Sequence, residues 1–150
     1  VGYQRISLIS EIEQFLGSDN TIDAVLIGAG KLGRALLGYS GFSEYGLNIV
    51  AAFDANPQLV GQAEGAKPIL PLSELETMCS KQKIYIGIIT VPAAHAQEVC
   101  NLLISNGIKA IWNFAPVHLD VPQGILVQNE NMATSLAVLS KHLSAQLKGF

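Results

Sequence analysis

Cysteine, charge and long apolar runs are all scarce in this chain of 150 residues. Its two cysteines, Cys79 and Cys100, form neither a CxxC pair nor an obvious bridge framework. That argues against a disulfide-stapled scaffold and suits a reducing cytosol. Only 14% of the residues are charged, nine basic against twelve acidic, leaving a net charge of −3. Basic residues spread this thinly offer no nucleic-acid surface within the chain, which would need clustered Lys and Arg. No apolar run approaches the roughly 20 residues of a membrane span. No signal-peptide pattern follows Val1, so this end reads as cut rather than initiated. No metal-ligand spacing is present. What is plentiful is apolar residue, 49%, and glycine, 14 of them. The balance predicts a soluble, cytoplasmic domain with a sizeable core.

Along the chain, the spacing of Leu8, Ile12, Phe15 and Leu16 predicts an amphipathic helix over 6–16, closed by Gly17. Short, continuous apolar runs predict buried parallel strands over 23–28, 47–53, 84–91, 110–114 and 125–128, with a short extended piece over 68–71. Helices are expected between them over 31–39, 74–80 and 93–106. Ser73 is a candidate cap for the second, with Glu76 at its third position, and Gly107 stops the third. Alternating strands and helices predict an α/β fold, a doubly wound Rossmann-type parallel sheet over 1–130. From 131 to 147, Met132, Leu136, Leu139, Leu143 and Leu147 make one narrow seam spaced like coiled-coil core positions. That final helix, over 131–150, either packs on its own sheet or serves as a dimerisation helix on a second copy. A seam at the end of an already complete sandwich favours the second copy.

Gly28-Ala29-Gly30-Lys31-Leu32-Gly33 fits G-x-G-x-x-G and lies between an expected strand and an expected helix. Gly28 permits the tight turn, Gly30 lets the backbone approach a pyrophosphate, and Gly33 lets helix and strand pack closely. Asp54 closes the second strand, where a carboxylate accepts hydrogen bonds from the adenosine ribose hydroxyls and repels a 2′-phosphate. The residues after it, Ala55, Asn56 and Pro57, include no Arg. The expected cofactor is therefore NAD(H), although Asp54 could simply cap its loop. Thr90-Val91-Pro92-Ala93 and Asn113-Phe114-Ala115-Pro116 reach the same sheet edge and are nearly apolar. A neutral dihydronicotinamide tolerates such a pocket better than the cationic oxidised ring, which must shed its hydration.

A dehydrogenase needs a substrate site and an acid or base near the hydride-accepting carbon. No substrate domain accompanies the dinucleotide elements. His95 lies close enough to the crevice to be a candidate, but a solvated helix residue is the simpler reading. Cys100 reads as a buried, inert thiol. No catalytic constellation emerges, and a non-enzyme is expected.

The stretches GAGKLGRALLGY (28–39), GFSEYGLNIVAAFDANPQLVG (41–61), IITVPAAHAQEV (88–99) and GIKAIWNFAPVHLDVP (107–122) resemble the Rex redox-sensing transcriptional repressors of bacteria. The resemblance covers essentially all 150 residues, and VGY (1–3) looks like the junction after that family's DNA-binding domain. It implies an NADH/NAD⁺-sensing, homodimeric regulatory domain with a swapped C-terminal helix. Operator DNA would be held by an N-terminal winged helix absent from this chain, and NADH would close the dimer and release the DNA. By position, the resemblance gives 28–33 to the pyrophosphate and Asp54 to the adenosine ribose. Tyr39, Val91, Pro92, Asn113, Phe114, Ala115 and Pro116 would line or flank the nicotinamide end, with Asn131 from the swapped-helix motif. The family usually has acids where this chain has Gln128 and Asn131, a departure that implies a weaker or differently built redox discrimination with dinucleotide binding kept. Two other classes stay open: the cofactor domain of an NAD-dependent dehydrogenase, and a CoA-binding module.

Overall fold

The computed structural model describes residues 21–61, 63–64, 67–130 and 132–148. The helix expected over 6–16 and Asn131 lie outside them. Strand β1 (Ile22–Ile27) is buried from Ala24 to Ile27 because both faces of the sheet are covered there. It pairs in parallel with β2 (Leu47–Asp54) on one side and β5 (Ile86–Ile89) on the other. β4 (Lys67–Pro71) extends the sheet beyond β2, while β6 (Ala110–Asn113) and β7 (Leu126–Asn129) extend it beyond β5. These six strands are all parallel, in the spatial order β4-β2-β1-β5-β6-β7. That is the doubly wound 3-2-1-4-5-6 order, with its switch point between β1 and β5.

A seventh strand departs from the expected all-parallel sheet. β3 (Ala63–Glu64) pairs antiparallel with the start of β4, a two-residue return too short to leave a periodic signal. The helix expected over 31–39 ends earlier: α1 runs over Lys31–Leu37, and a 3-10 segment follows at Ser40–Tyr45. Its end is set by Gly46, at φ 78°, which turns the chain into β2. Ser73 caps nothing, because a 3-10 turn (Leu72–Glu74) occupies that stretch and α2 (Leu75–Lys81) starts behind it. α3 spans Ala93–Ser105, one residue short of expectation, and β5 covers only the middle of 84–91.

Side chains alternate across the sheet and so divide the core in two. Val25, Ile27, Phe53, Ile89 and Ile111 face α2 and α3, whose Leu75, Val99, Cys100 and Leu103 cover them. Gly87 gives way to Leu103 there: a Cβ on it would sit 2.7 Å from Leu103 Cδ1. On the opposite face, Ala24, Leu26, Ile49, Ala52 and Ile88 lie under Leu37 of α1 and Phe42 of the 3-10 segment. Each large aliphatic or aromatic side chain buried this way contributes about 1.5–3 kcal/mol. The last helix, α4 (Met132–Lys148), stands apart. Residues 139–148 are all exposed, with Leu139 at 63%, Leu143 at 51% and Leu147 at 61%. Over this stretch the helix does not pack on its own sheet.

Candidate functional site

The carboxyl ends of β1, β2, β5 and β6 open into a cleft of about 1110 Å³. Its first wall is the turn after β1. Gly28 takes φ +109°, a left-handed conformation open to glycine, and its N–H donates to Phe53 O at 2.8 Å. The Thr90 hydroxyl lies 2.7 Å from Gly28 O and 3.1 Å from Ile27 O, so it holds the turn from β5. A Cβ on Gly33 would overlap the Gly28 carbonyl oxygen, which is why α1 packs so close to the turn. Gly30 has nothing within 4 Å of the place a Cβ would take. Backbone amides at this helix start are therefore open to a close-approaching anion.

Asp54 faces the turn from the end of β2. Its Oδ2 accepts the Ala29 N–H at 2.7 Å and its Oδ1 accepts the Asn56 N–H at 2.8 Å. A carboxylate offers about four lone-pair positions, so these two bonds leave about two for a ligand on the cleft side. Asp54 thus caps its loop and lines the cleft at once.

The second wall is Phe114-Ala115-Pro116, with Val91 and Pro92 beside it. Asn113 shapes this wall without lining it. It is 0% exposed, accepts the Ala115 N–H at 3.0 Å, and points its amide nitrogen at Ala115 O (3.2 Å), Val117 O (3.1 Å) and Asn129 Oδ1 (3.0 Å). Further along, Gln97 on α3 holds the same loop. Its Nε2 donates to Asp120 O and its Oε1 accepts the Asp120 N–H, both at 2.8 Å. Behind Phe114 runs a chain of rings: Trp112 at 4.9 Å, then Phe42 at 5.7 Å from Trp112, then Tyr39 at 4.8 Å from Phe42.

The sequence-derived residues therefore divide. Gly28, Gly30, Leu32, Asp54, Val91, Pro92, Phe114, Ala115 and Pro116 come together in the cleft. Ala29 and Gly33 are buried behind it, with Ala29 giving its amide to Asp54. Lys31 is exposed, and Tyr39 is 54% exposed on the outer end of the ring chain. Thr90 reaches the sheet edge as expected and serves there as a support for the glycine turn, while Gln97, which braces the loop at Asp120, is a support that motif reading passed over. His95 is both exposed and at the cleft, in the first turn of α3. His118 lies 3.7 Å from Asp120, with both side chains in solvent. Burial pushes the Cys79 and Cys100 thiols above their usual pKa, which keeps them protonated and unreactive. Among the described residues no cluster of His, Cys, Asp or Glu is suited to hold a metal ion. Nor is any helix among them long and apolar enough to cross a membrane.

A glycine turn feeding a helix, an acid closing the adjacent strand and a cleft at the switch point define a Rossmann-type nucleotide-binding domain. Residues 19–117 match the family described as CoA binding domain. The redox-sensing transcriptional repressor Rex of Treponema denticola is 44% identical over 138 residues, 92% of this chain and 66% of the relative. That of Bacteroides fragilis is 43% identical over 144 residues, 96% of this chain and 66% of the relative. The chain thus spans just under two thirds of the length of these relatives. The crystal structure of RSP, a Rex-family repressor, superposes with a TM-score of 0.80 at 35% identity, covering 93% of this chain and 67% of that one. RSP has also been solved with NADH, and with NAD⁺ and operator DNA. The chain belongs to the Rex family, and its residues 19–117 to the CoA-binding domain family.

Proposed function

We propose that this chain is the NAD(H)-sensing and dimerisation part of a cytoplasmic redox-responsive transcriptional repressor, and that it is a regulator rather than an enzyme. The observation that carries the cofactor is the Asp54 carboxylate, fixed by the Ala29 amide at 2.7 Å beside the open Gly30 turn. In that place it receives an adenosine ribose diol and repels a 2′-phosphate, which favours NAD(H) over NADP(H). Gly30 and the amides around it receive the pyrophosphate. The nicotinamide lies toward Pro92, Phe114 and Pro116, where an apolar wall favours the neutral reduced ring. In the whole protein, operator DNA is held by another part of the polypeptide, and NADH favours the dimer that releases it. The exposed Leu139–Leu143–Leu147 seam of α4 supports a homodimer through the C-terminal helix.

A CoA-binding module is the second reading, favoured by the family match over 19–117. Asp54 weighs against it, because the adenosine of CoA carries a 3′-phosphate that this carboxylate repels.

Titration of NADH, NAD⁺, NADPH and CoA, followed by Trp112 fluorescence and calorimetry, separates the readings. Trp112 lies 4.9 Å from Phe114, which lines the cleft, so bound NADH quenches it by energy transfer. The expected result is NADH bound more tightly than NAD⁺, with NADPH and CoA weak. CoA tightest overturns the cofactor assignment. Equal affinity for NADH and NAD⁺ overturns the sensing role.

A further inference from the structure

Trp112 and Asn113 are neighbours on β6, and each reaches two places. Toward the cleft, Trp112 packs on Phe114 at 4.9 Å, and Asn113 carries the Ala115 and Val117 backbone on its amide. Toward the end of the chain, Trp112 Nε1–H donates to Glu130 Oε1 at 3.1 Å, and Asn113 Nδ2–H donates to Asn129 Oδ1 at 3.0 Å. The Glu130 N–H adds a third bond, to Asn113 O at 2.9 Å. Asn129 ends β7, Glu130 follows it, and α4 starts at Met132. Residues 139–148 of that helix are exposed throughout, so nothing over this stretch orients it on its own sheet.

We propose that the Trp112–Glu130 and Asn113–Asn129 pairs form a joint through which the cleft wall sets the direction of α4, with Trp112 and Glu130 as its positioning residues. The two cleft-wall contacts and the two junction contacts are made by the same two side chains, whose backbone lies within the sheet. A ligand that displaces Phe114 or Ala115 must shift the Trp112 ring or the Asn113 amide, and each is bonded to the root of α4. Glu130 suits the task because a charged acceptor makes a stronger bond to an indole N–H than a neutral one does. The 3.1 Å bond is partly buried, which shields it from competing water. The ligand-driven half of this proposal rests on the NAD(H) reading above; the structural half does not.

Hydrogen exchange in peptides spanning 132–148 tests both halves, in wild type, Glu130→Ala, Glu130→Gln and Trp112→Phe. Without ligand, exchange at the start of α4 rises about tenfold in Glu130→Ala and Trp112→Phe, the scale of a lost hydrogen bond to a charged group. Glu130→Gln retains an acceptor and recovers most of the protection. Unchanged exchange in both disrupting variants overturns the joint, whatever the ligand is. With NADH, the wild type changes its α4 exchange, whereas Glu130→Ala and Trp112→Phe bind NADH yet leave α4 unresponsive. A full α4 response in those variants overturns the coupling, as does loss of NADH binding in both, which would make the pair part of the binding wall. A wild type that binds no NADH strikes the cofactor reading alone, and the ligand-free comparison still decides the joint.

Discussion

On the glycine side of the cleft close backbone packing sets the turn, with Thr90 and Asp54 bracing it, whereas on the Phe114 side single side-chain amides do the holding. The Gly28 N–H meets Phe53 O, the Ala29 N–H meets Asp54, and α1 lies against the turn because Gly33 has no Cβ. Across the cleft, Asn113 replaces a backbone partner for residues 115 and 117, and Gln97 does so for Asp120. The first construction depends on atoms that must be absent. The second depends on atoms that must be present, and those can be removed one at a time without forcing backbone apart. Rigidity thus falls on the side proposed for the phosphates, and adjustability on the side proposed for the nicotinamide and linked to α4.

The sharpest contrast comes from Gly33→Ala. Its new Cβ collides with the Gly28 carbonyl oxygen, a backbone atom with no rotamer to yield. The expected loss is about 3 kcal/mol, the upper end for overpacking, read as a lower urea midpoint. A midpoint equal to wild type would show that the turn is not backbone-locked. Asn113→Ala should cost slightly less, about 2–3 kcal/mol, because it strands buried amide and carbonyl groups without forcing a clash. Its NADH affinity should fall as well, since Ala115 and Pro116 lose their support; unchanged affinity would separate that loop from binding.

The same contrast explains what the sequence made legible. Gly28, Gly30 and Gly33 sit within six residues, and the steric reasons for them are local, so their spacing carries the geometry. Asp54 was readable because a strand brings it to a known edge. Asn113 was placed at the cleft by the same edge rule, yet its amide turns inward to the loop, a choice made by residues 115, 117 and 129 rather than by its neighbours. Gln97 lies 23 residues from Asp120, and Trp112 lies 18 from Glu130, distances over which a pattern leaves no trace. Glu130 follows β7 ahead of the helix, and its side chain meets the Trp112 indole, a pairing that no local spacing announces. The 3-10 segments were hidden because stretches this short carry no full amphipathic period.

Asp54→Ala probes the glycine side through binding rather than folding. It removes the acceptor for the Ala29 amide and for the proposed ribose diol, so NADH affinity should fall by about 1–3 kcal/mol in calorimetry. The Asn56 amide it releases lies at the cleft, where water can replace the lost partner, whereas the buried Ala29 amide loses its acceptor, so stability should fall, but by less than in Gly33→Ala, where a Cβ is forced onto backbone. An affinity within error of wild type would place the ribose elsewhere. A stability loss matching that of Gly33→Ala would instead mean that a side chain, rather than backbone packing, locks this wall.

Gln97→Ala should give the smallest effect. The reciprocal pair with Asp120 is exposed, so water takes both positions, and the cost should be about 0.5–1.5 kcal/mol, that of a typical net hydrogen bond. Its amide nitrogen also donates to Asn101 Oδ1 at 2.9 Å, one turn along α3, which adds a few tenths of a kcal/mol. The informative change is in exchange across 115–122. Freed from α3, that segment keeps the Asn113 bonds at its near end and the buried Leu119 side chain, so its amides around Asp120 should exchange faster while those of 28–37 stay as in wild type. Gln97→Glu keeps the acceptor for the Asp120 N–H but sets a carboxylate against Asp120 O, so it should fall between the two. If Gln97→Ala instead destabilised the protein as much as Asn113→Ala, the loop would be held mainly from α3, and the adjustable side of the cleft would have to be redrawn around that helix.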